Sequence, residues 1–217
     1  MIGINSDAGL SRFHVSVPEG KSGDWKVSKF TVSEEDANIE RLRALFNPQR
    51  AFRYCPAGDY TRLSCNGAII MSDTPDEMRD HMPMIHEAKG NILIMGLGLG
   101  MVLQACLRKP EVKHATVIEQ SADVINLLAS HYLKMFGTDR LSIINADALT
   151  WIPPKGIRYN AVWHDIWGSI CSDNLPDMKL LQNRYKKISD WQGIWCYWDT
   201  LQAQRKSSQR QKKWGTG

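Results

Sequence analysis

The chain has 217 residues, 43% of them hydrophobic, which suffices for one well-packed domain and a small additional module. Its net charge of +4 arises at the C-terminal end, where residues 202–217 hold five lysines and arginines and no acidic residue. The rest of the chain is close to neutral, which argues against a nucleic-acid-binding body, and no apolar run approaches the ~20 residues of a membrane span. We expect a soluble, cytoplasmic protein with no membrane partner, which binds nucleic acid at most weakly through its basic tail.

Five cysteines are present, an odd number, and none forms a C-x-x-C pair. This pattern predicts free thiols rather than a disulfide framework or a zinc site. His81 and His86 lie five residues apart, a spacing that does not place two ligands on one face of a regular helix. We therefore expect no bound metal.

The first part of the chain predicts a loosely ordered arm over residues 1–24 and a small α+β module over residues 25–84. A strand is expected at residues 25–32, and a helix near residues 34–46 begins with a capping box opened by Ser33. The apolar residues of that helix share one face, which supports the assignment: Ile39, Leu42 and Phe46.

A hairpin and a second helix complete the module. The hairpin strands are expected at residues 51–54, 60–64 and 68–71, with Asn66-Gly67 as the turn between the last two. The helix is expected to begin after Thr74 and to bend or break near Pro83.

From residue 85 to residue 201 the chain alternates apolar runs with amphipathic stretches, which is typical of βαβ units and a parallel sheet. Strands are expected at residues 91–95, 115–118, 141–144, 161–164 and 193–197, and the clearest helix at residues 121–135. The predicted fold is α/β: a Rossmann-like parallel sheet of about five strands in the order 3-2-1-4-5, with helices on both faces. A small β-rich module precedes it, and residues 202–217 are predicted to be a disordered basic tail.

A glycine-rich loop follows the first strand of this domain. Gly96, Gly98 and Gly100 form a G-x-G-x-G run that leads into a segment compatible with a helix, which is the setting of a nucleotide-binding loop. The dinucleotide pattern G-x-G-x-x-G needs a glycine at Met101, so the loop favours a nucleoside without a pyrophosphate. Packing between strand and helix also explains such glycines, and the two interpretations are about equal on the motif alone.

Acidic residues follow the next strands in order. Glu119 ends the second strand, where a carboxylate accepts both hydroxyls of a ribose, and Gln120 follows it. Asp147 lies at the end of the third strand, where it is placed to accept from an adenine amino group, while Ala148 leaves room for the ring. A solvated strand end and a turn cap remain the alternatives for the two acids.

The fourth strand ends in His164 and Asp165, at the edge of the sheet where such folds place reacting groups. Both are candidate proton acceptors, although neighbours on a strand point to opposite faces. Trp167 is a candidate wall for the substrate pocket, with core packing as its alternative, and Asp80 and His81 are further candidates there.

Residues 66–167 resemble the spermidine synthase branch of the class I methyltransferase superfamily. The likeness is found in Asn66-Gly67 with the following Ser72-Asp73-Thr74-Pro75-Asp76-Glu77, in the Gly96–Gly100 loop, and in Glu119, Asp147 and Asp165. It implies that the cofactor is S-adenosylmethionine or its decarboxylated form. It also implies that Glu119 holds the ribose, that Asp147 contacts adenine and that Asp165 lies at the transfer site.

The sequence departs from that family at three places. Leu99 stands where the glycine loop usually holds an aspartate that binds the amine end of decarboxylated S-adenosylmethionine. Ile166-Trp167-Gly168-Ser169 lacks a second aspartate after Asp165, and Met78-Arg79-Asp80-His81 lacks the usual tyrosine. Because a polyamine pocket needs more than one carboxylate, these departures favour methyl transfer.

Three functions remain open. The first is methyl transfer from S-adenosylmethionine to a small-molecule acceptor, and the second is aminopropyl transfer of the spermidine synthase type. The third is a catalytically silent protein that binds a nucleoside or acts through its surfaces. The open edge of a five-stranded sheet also allows a homodimer.

Overall fold

The computed structural model describes residues 10, 13–46, 54–202, 204 and 205. Its N-terminal part forms an antiparallel sheet whose four strands neighbour one another in chain order. They are β1 (Gly20–Ser22), β2 (Trp25–Val32), β3 (Gly58–Cys65) and β4 (Ala68–Ser72). Asn66 and Gly67 join β3 to β4 with φ angles of 51° and 82°, as the predicted tight turn requires.

The second sheet is parallel and has five strands: β5 (Gly90–Met95), β6 (Val112–Glu119), β7 (Leu141–Asn145), β8 (Tyr159–His164) and β9 (Ser189–Ile194). Their order across the sheet is β7-β6-β5-β8-β9, which confirms the predicted order 3-2-1-4-5. Alternate residues of β5 enter two separate cores: Ile92 and Ile94 pack on one face, and Leu93 and Met95 on the other. The sheet is therefore covered on both sides, as expected of parallel strands.

Five helices with stated bounds lie between the strands of the described residues: α1 (Glu34–Leu45), α2 (Pro75–Glu87), α3 (Met101–Leu107), α4 (Ala122–Phe136) and α5 (Leu175–Tyr185). Helix α4 packs Val124 and Leu128 on the sheet face that also receives the antiparallel sheet, whereas α5 packs Leu181 on the opposite face. The predicted helices on both faces are confirmed.

Two element boundaries differ from their predictions. Helix α2 does not break at Pro83 but continues to Glu87. Strand β9 begins at Ser189, earlier than expected, and ends at Ile194, because Trp195 and Cys196 form a turn in which Cys196 has a φ of 50°. Helix α5 was not anticipated from the sequence.

The expectation of a loosely ordered arm is wrong for residues 13–24. Phe13, Val15 and Val17 are buried in the core beneath the antiparallel sheet. The N–H of Val15 donates to Oδ2 of Asp73 at 3.0 Å, and the other oxygen of that buried carboxylate accepts from Thr61 N–H at 2.6 Å. Residues 1–9, residues 51–53 of the strand predicted at 51–54, and the tail from residue 206 onward lie outside the described residues.

Helix α1 turns its apolar face outward. Leu42 is 54% exposed and Phe46, just after the helix, is 88% exposed, while the buried positions are Ala37 and Ala44. The shared apolar face of Ile39, Leu42 and Phe46 therefore predicted the helix correctly, but it is not the face that the protein buries. No helix within the described ranges combines the length and the apolar character that a membrane crossing requires.

Candidate functional site

A cavity of about 800 Å³ lies where the carboxyl ends of the parallel strands face the antiparallel sheet. Its lining includes residues that follow β5, β6, β7 and β8, together with Trp25, Leu63 and Met71 of the antiparallel sheet. Ligand sites in open parallel sheets form at this edge. The small N-terminal sheet thus supplies one wall of the candidate site.

Two glycines of the loop are explained by side chains of the protein that pack closely against them. Gly98 has a φ of 51° and Gly100 a φ of 78°, a region that favours glycine. A Cβ at Gly98 would collide with the sulfur of Met71, and one at Gly100 with the ring of Tyr132. Gly96 and Gly98 line the cavity, but Gly100 forms the N-cap of α3 and is not among the lining residues.

Most backbone N–H groups of the loop donate within the protein. The bonds run from Gly96 to Ile118 O (2.9 Å), from Leu97 to Glu119 Oε2 (2.8 Å), from Leu99 to Met71 Sδ (3.0 Å) and from Gly100 to Leu97 O (2.8 Å). Tyr132 holds the loop from behind, donating from its hydroxyl to Leu99 O at 2.5 Å. The loop therefore offers few donors to an anionic group, which agrees with the exclusion of a pyrophosphate.

Glu119 ties the end of β6 to the glycine loop. Besides Leu97, its carboxylate accepts from the N–H of Ser121 at 2.8 Å, through Oε1. Each oxygen thus accepts one backbone bond, and a carboxylate has about four acceptor positions in all. The remaining positions can accept hydrogen bonds from a ligand, and Gln120 lines the cavity next to Glu119.

Asp147 and Ala148 also line the cavity. Oδ1 of Asp147 accepts from Leu149 N–H at 2.8 Å, so the side chain does cap the turn after β7. This cap was the alternative interpretation of the residue, and it is compatible with a second bond to a ligand because a carboxylate accepts several.

The lining is strongly acidic. Six carboxyl side chains contribute to it, and none of its described residues is a lysine or an arginine. They come from five elements of the fold: Glu77 and Asp80 of α2, Glu119 at the end of β6, Asp147 after β7, Asp165 after β8, and Asp177 of α5. Three tryptophans complete the wall: Trp25, Trp167 and Trp195. Such a surface suits an organic cation.

Asp165 and His81 meet in this wall. Burial raises the pKa of the Asp165 carboxyl to about 7, against the opposing effect of the Trp163 indole N–H. Burial also lowers the pKa of His81 to about 4. Near neutral pH the imidazole is therefore uncharged, and the carboxyl is divided between its acid and base forms, which suits a proton acceptor.

His164 lies in the core instead of the cavity. Its ring nitrogens contact Met95 Sδ at 3.1 Å and Gln192 Oε1 at 3.0 Å, and its side chain is fully buried. Burial lowers its pKa to about 4. Because neighbouring residues of an extended chain point to opposite sides, Asp165, directly after β8, reaches the cavity and His164 does not. We therefore leave His164 out of the chemistry.

The sequence did not predict that four residues would line the site or support its loop: Met71, Glu77, Tyr132 and Asp177. Both oxygens of Glu77 accept from Ser72, whose backbone N–H lies 2.8 and 2.9 Å away, and burial raises the pKa of this carboxyl. The acidic first turn of α5 was the only signal for Asp177. Within the described residues no group of three or more histidine, cysteine or acidic side chains is arranged to hold a metal ion.

No family model matches the chain. The polyamine aminopropyltransferase 1 of Streptomyces coelicolor is 34% identical over 111 residues, which cover 46% of this chain and 21% of that protein. The polyamine aminopropyltransferase of Lachnospira eligens is 26% identical over 144 residues, covering 62% of this chain and 50% of its own. The chain is a distant homologue of the polyamine aminopropyltransferases.

The chain spans half or less of the length of these relatives. Solved structures of methyltransferases superpose on part of the chain. One is Arabidopsis thaliana protein arginine methyltransferase 10, with a TM-score of 0.41 and 10% identity over 50% of this chain and 32% of that one. Another is a dimethyladenosine transferase from Plasmodium falciparum, with a TM-score of 0.36 and 19% identity over 46% and 34% of the two chains. We draw nothing about the reaction from these partial superpositions.

Proposed function

We propose that the chain transfers an aminopropyl group from decarboxylated S-adenosylmethionine to a cationic amine. The acidic cavity is the observation that carries this proposal: six carboxyl groups and no described lysine or arginine line it. Homology to the polyamine aminopropyltransferases supports the same reaction. The sequence by itself favoured methyl transfer, because two expected aspartates are missing.

The missing aspartates have replacements from other elements. Leu99 and the segment Ile166-Trp167-Gly168-Ser169 lack the aspartates that the family likeness implies. Asp177 on α5 nevertheless contributes a carboxyl group to the same cavity, as does Glu77 on α2, a residue that belongs to the likeness. Each buried ammonium of a diamine needs an anionic partner, and several acids spread around one cavity meet that need. The tryptophans of the wall pack against the methylene chain and the ammonium groups of such an acceptor.

The nucleoside end of the donor would be held at the carboxyl ends of β6 and β7. Glu119 and Gln120 would take the ribose, and Asp147 and Ala148 the adenine, beside Gly96 and Gly98 of the loop. When bound, the donor supplies a sulfonium-activated propyl carbon, to which the acceptor nitrogen forms a C–N bond as the C–S bond breaks, its electron pair remaining on sulfur and one proton leaving the nitrogen.

Asp165 would take that proton. Its raised pKa of about 7 leaves a substantial basic fraction at neutral pH while keeping proton uptake favourable. His81 would remain neutral beside it and present no positive charge to the incoming ammonium. The chain's own contribution is thus to hold two cations in an acidic cavity and to accept a single proton.

The test is to incubate the purified chain with decarboxylated S-adenosylmethionine and 1,4-diaminobutane and to follow products by mass spectrometry. We expect an amine enlarged by one aminopropyl unit together with a thioether nucleoside, and a rate about 10²–10⁴-fold lower for Asp165→Asn. Asp190→Asn is the matched control, because Asp190 is exposed and pairs with Arg158 away from the cavity. Methylation of an amine by S-adenosylmethionine, with no aminopropyl product, would contradict the proposal.

A further inference from the structure

Met71 connects the N-terminal sheet to the glycine loop. It lies on β4, lines the cavity and accepts the N–H of Leu99 on its sulfur at 3.0 Å. The same sulfur fills the space in front of Gly98, where any Cβ would collide with it. The thioether therefore covers the loop at Gly98 and Leu99 on the side of the cavity.

The bond to Met71 is the weakest that the loop makes. The N–H groups of Gly96, Leu97 and Gly100 donate to oxygen atoms of the backbone or of Glu119. A thioether sulfur is a poor acceptor on a flexible side chain. Among the loop N–H groups that have a partner in the structure, that of Leu99 is consequently the one that a competing anion would take most readily if Met71 withdrew.

A ligand carboxylate finds little else to bind in this cavity. No lysine or arginine occurs among its described lining residues, and the acids there repel a negative group. S-Adenosylmethionine differs from its decarboxylated form by one carboxylate. The difference in affinity between the two compounds therefore depends on the groups that surround this carboxylate. Specificity of this kind is a difference between two affinities, and blocking a favourable contact is one way to create it.

We infer that Met71 is a specificity-determining residue, which selects the decarboxylated donor by keeping the Leu99 N–H and the space before Gly98 from a ligand carboxylate. The inference rests on the proposed function and deepens it, because it names the residue through which the site distinguishes the two nucleosides. It concerns binding and does not require Met71 to take part in the transfer.

The test compares dissociation constants measured by isothermal titration for S-adenosylmethionine, its decarboxylated form and 5′-methylthioadenosine. Met71→Ala is expected to shift the ratio of the first two constants toward S-adenosylmethionine by roughly ten-fold, the size of one hydrogen bond to a charged group. Met71→Leu, which keeps the bulk on β4 but removes the acceptor, is expected to shift it in the same direction and decides the question if Met71→Ala does not fold.

Two controls separate the causes. Ile69→Ala changes an exposed residue of the same strand outside the cavity and is expected to leave both constants unchanged. 5′-Methylthioadenosine lacks the charged chain end, so its affinity is expected to stay within about two-fold in every variant.

The outcomes distinguish the two proposals. Tight binding of the decarboxylated donor with an unchanged ratio in both folded Met71 variants overturns the inference and leaves the proposed function standing. A wild-type chain that binds none of the three compounds overturns both.

Discussion

Nδ1 of His81 lies 3.6 Å from Oδ2 of Asp165. This separation is too long for a hydrogen bond, so the two groups are neighbours without a shared proton. Burial lowers the pKa of the imidazole to about 4 and raises that of the carboxyl to about 7. Around neutral pH the pair therefore provides one proton acceptor and no positive charge, and this arrangement has measurable consequences.

Asp165→Asn is expected to stabilise the protein at high pH. The folded-state pKa of Asp165, about 7, lies above the ordinary value of 3.8 because ionising the buried carboxyl is costly. The free energy of unfolding of the wild type therefore falls as the pH rises between these values. Asparagine does not ionise, so the variant's melting temperature should exceed that of the wild type by more at pH 8 than at pH 4. Each kcal/mol of difference in the free energy of unfolding corresponds to about 2–4 °C. Calorimetry at both pH values checks this, and His81, common to both proteins, does not affect the comparison. An equal difference at the two pH values would show that the carboxyl is not strained by burial.

Affinity for a diamine is expected to rise with pH. Ionisation of Asp165 with a pKa of about 7 adds a negative charge to the cavity, while the amine stays protonated and His81 stays neutral. Titration of 1,4-diaminobutane between pH 5.5 and pH 8.5 should give an increase centred near pH 7, which Asp165→Asn should flatten. A decrease of affinity over this range would place the amine away from Asp165.

Substitution of Asp177 is expected to affect the acceptor and not the donor. Asp177→Asn removes one acidic group from the cavity wall, and loss of a bond from a charged group should raise KM for the diamine roughly ten-fold with little change in kcat. Steady-state kinetics test this, with Asp173→Asn as control, because Asp173 is exposed in the preceding turn and does not line the cavity. Equal effects of the two substitutions would exclude a specific role for Asp177.

Glu119→Ala is expected to weaken the binding of 5′-methylthioadenosine by about 100-fold, because two hydroxyl bonds to a carboxylate are lost. The substitution also frees the N–H groups of Leu97 and Ser121, so the melting temperature is measured in parallel. Glu119→Gln keeps one acceptor oxygen and should lose less affinity. Unchanged affinity in a folded Glu119→Ala protein would show that the ribose lies elsewhere.

Gly100→Ala is expected to destabilise the fold by about 2 kcal/mol or more. The residue has a φ of 78°, and an added Cβ would collide with the ring of Tyr132. Gly67→Ala is the matched control, since Gly67 has a φ of 82° but no atom within 4 Å of an added Cβ. Chemical denaturation of both variants separates the effect of backbone strain from that of the collision. Equal losses of the free energy of unfolding in the two variants would mean that Tyr132 moves aside.

Some elements were predictable because their signals are local. The capping residue Ser33, the Asn66-Gly67 turn and the apolar runs of β5 and β6 each depend on neighbours a few residues away, and the structure has them where expected. Strand β9 was misplaced because the run of aromatic residues from Trp191 to Trp198 extends beyond the strand into a turn. The exposed face of α1 shows that helical spacing identifies a helix without telling what covers it.

The sequence by itself indicated the parallel sheet and the acids at its strand ends, because periodicity and short connections constrain these locally. The strand order followed from the likeness to Rossmann-like folds, and the structure has it. Only the tertiary structure decided which of His164 and Asp165 faces the cavity, and it alone brought Met71 to Leu99 and placed Glu77 and Asp177 beside Asp165 in one wall. These relationships join segments up to about a hundred residues apart through the packing of two sheets and a helix. Contacts of that range depend on the shapes of whole elements, and no pattern along the chain encodes them.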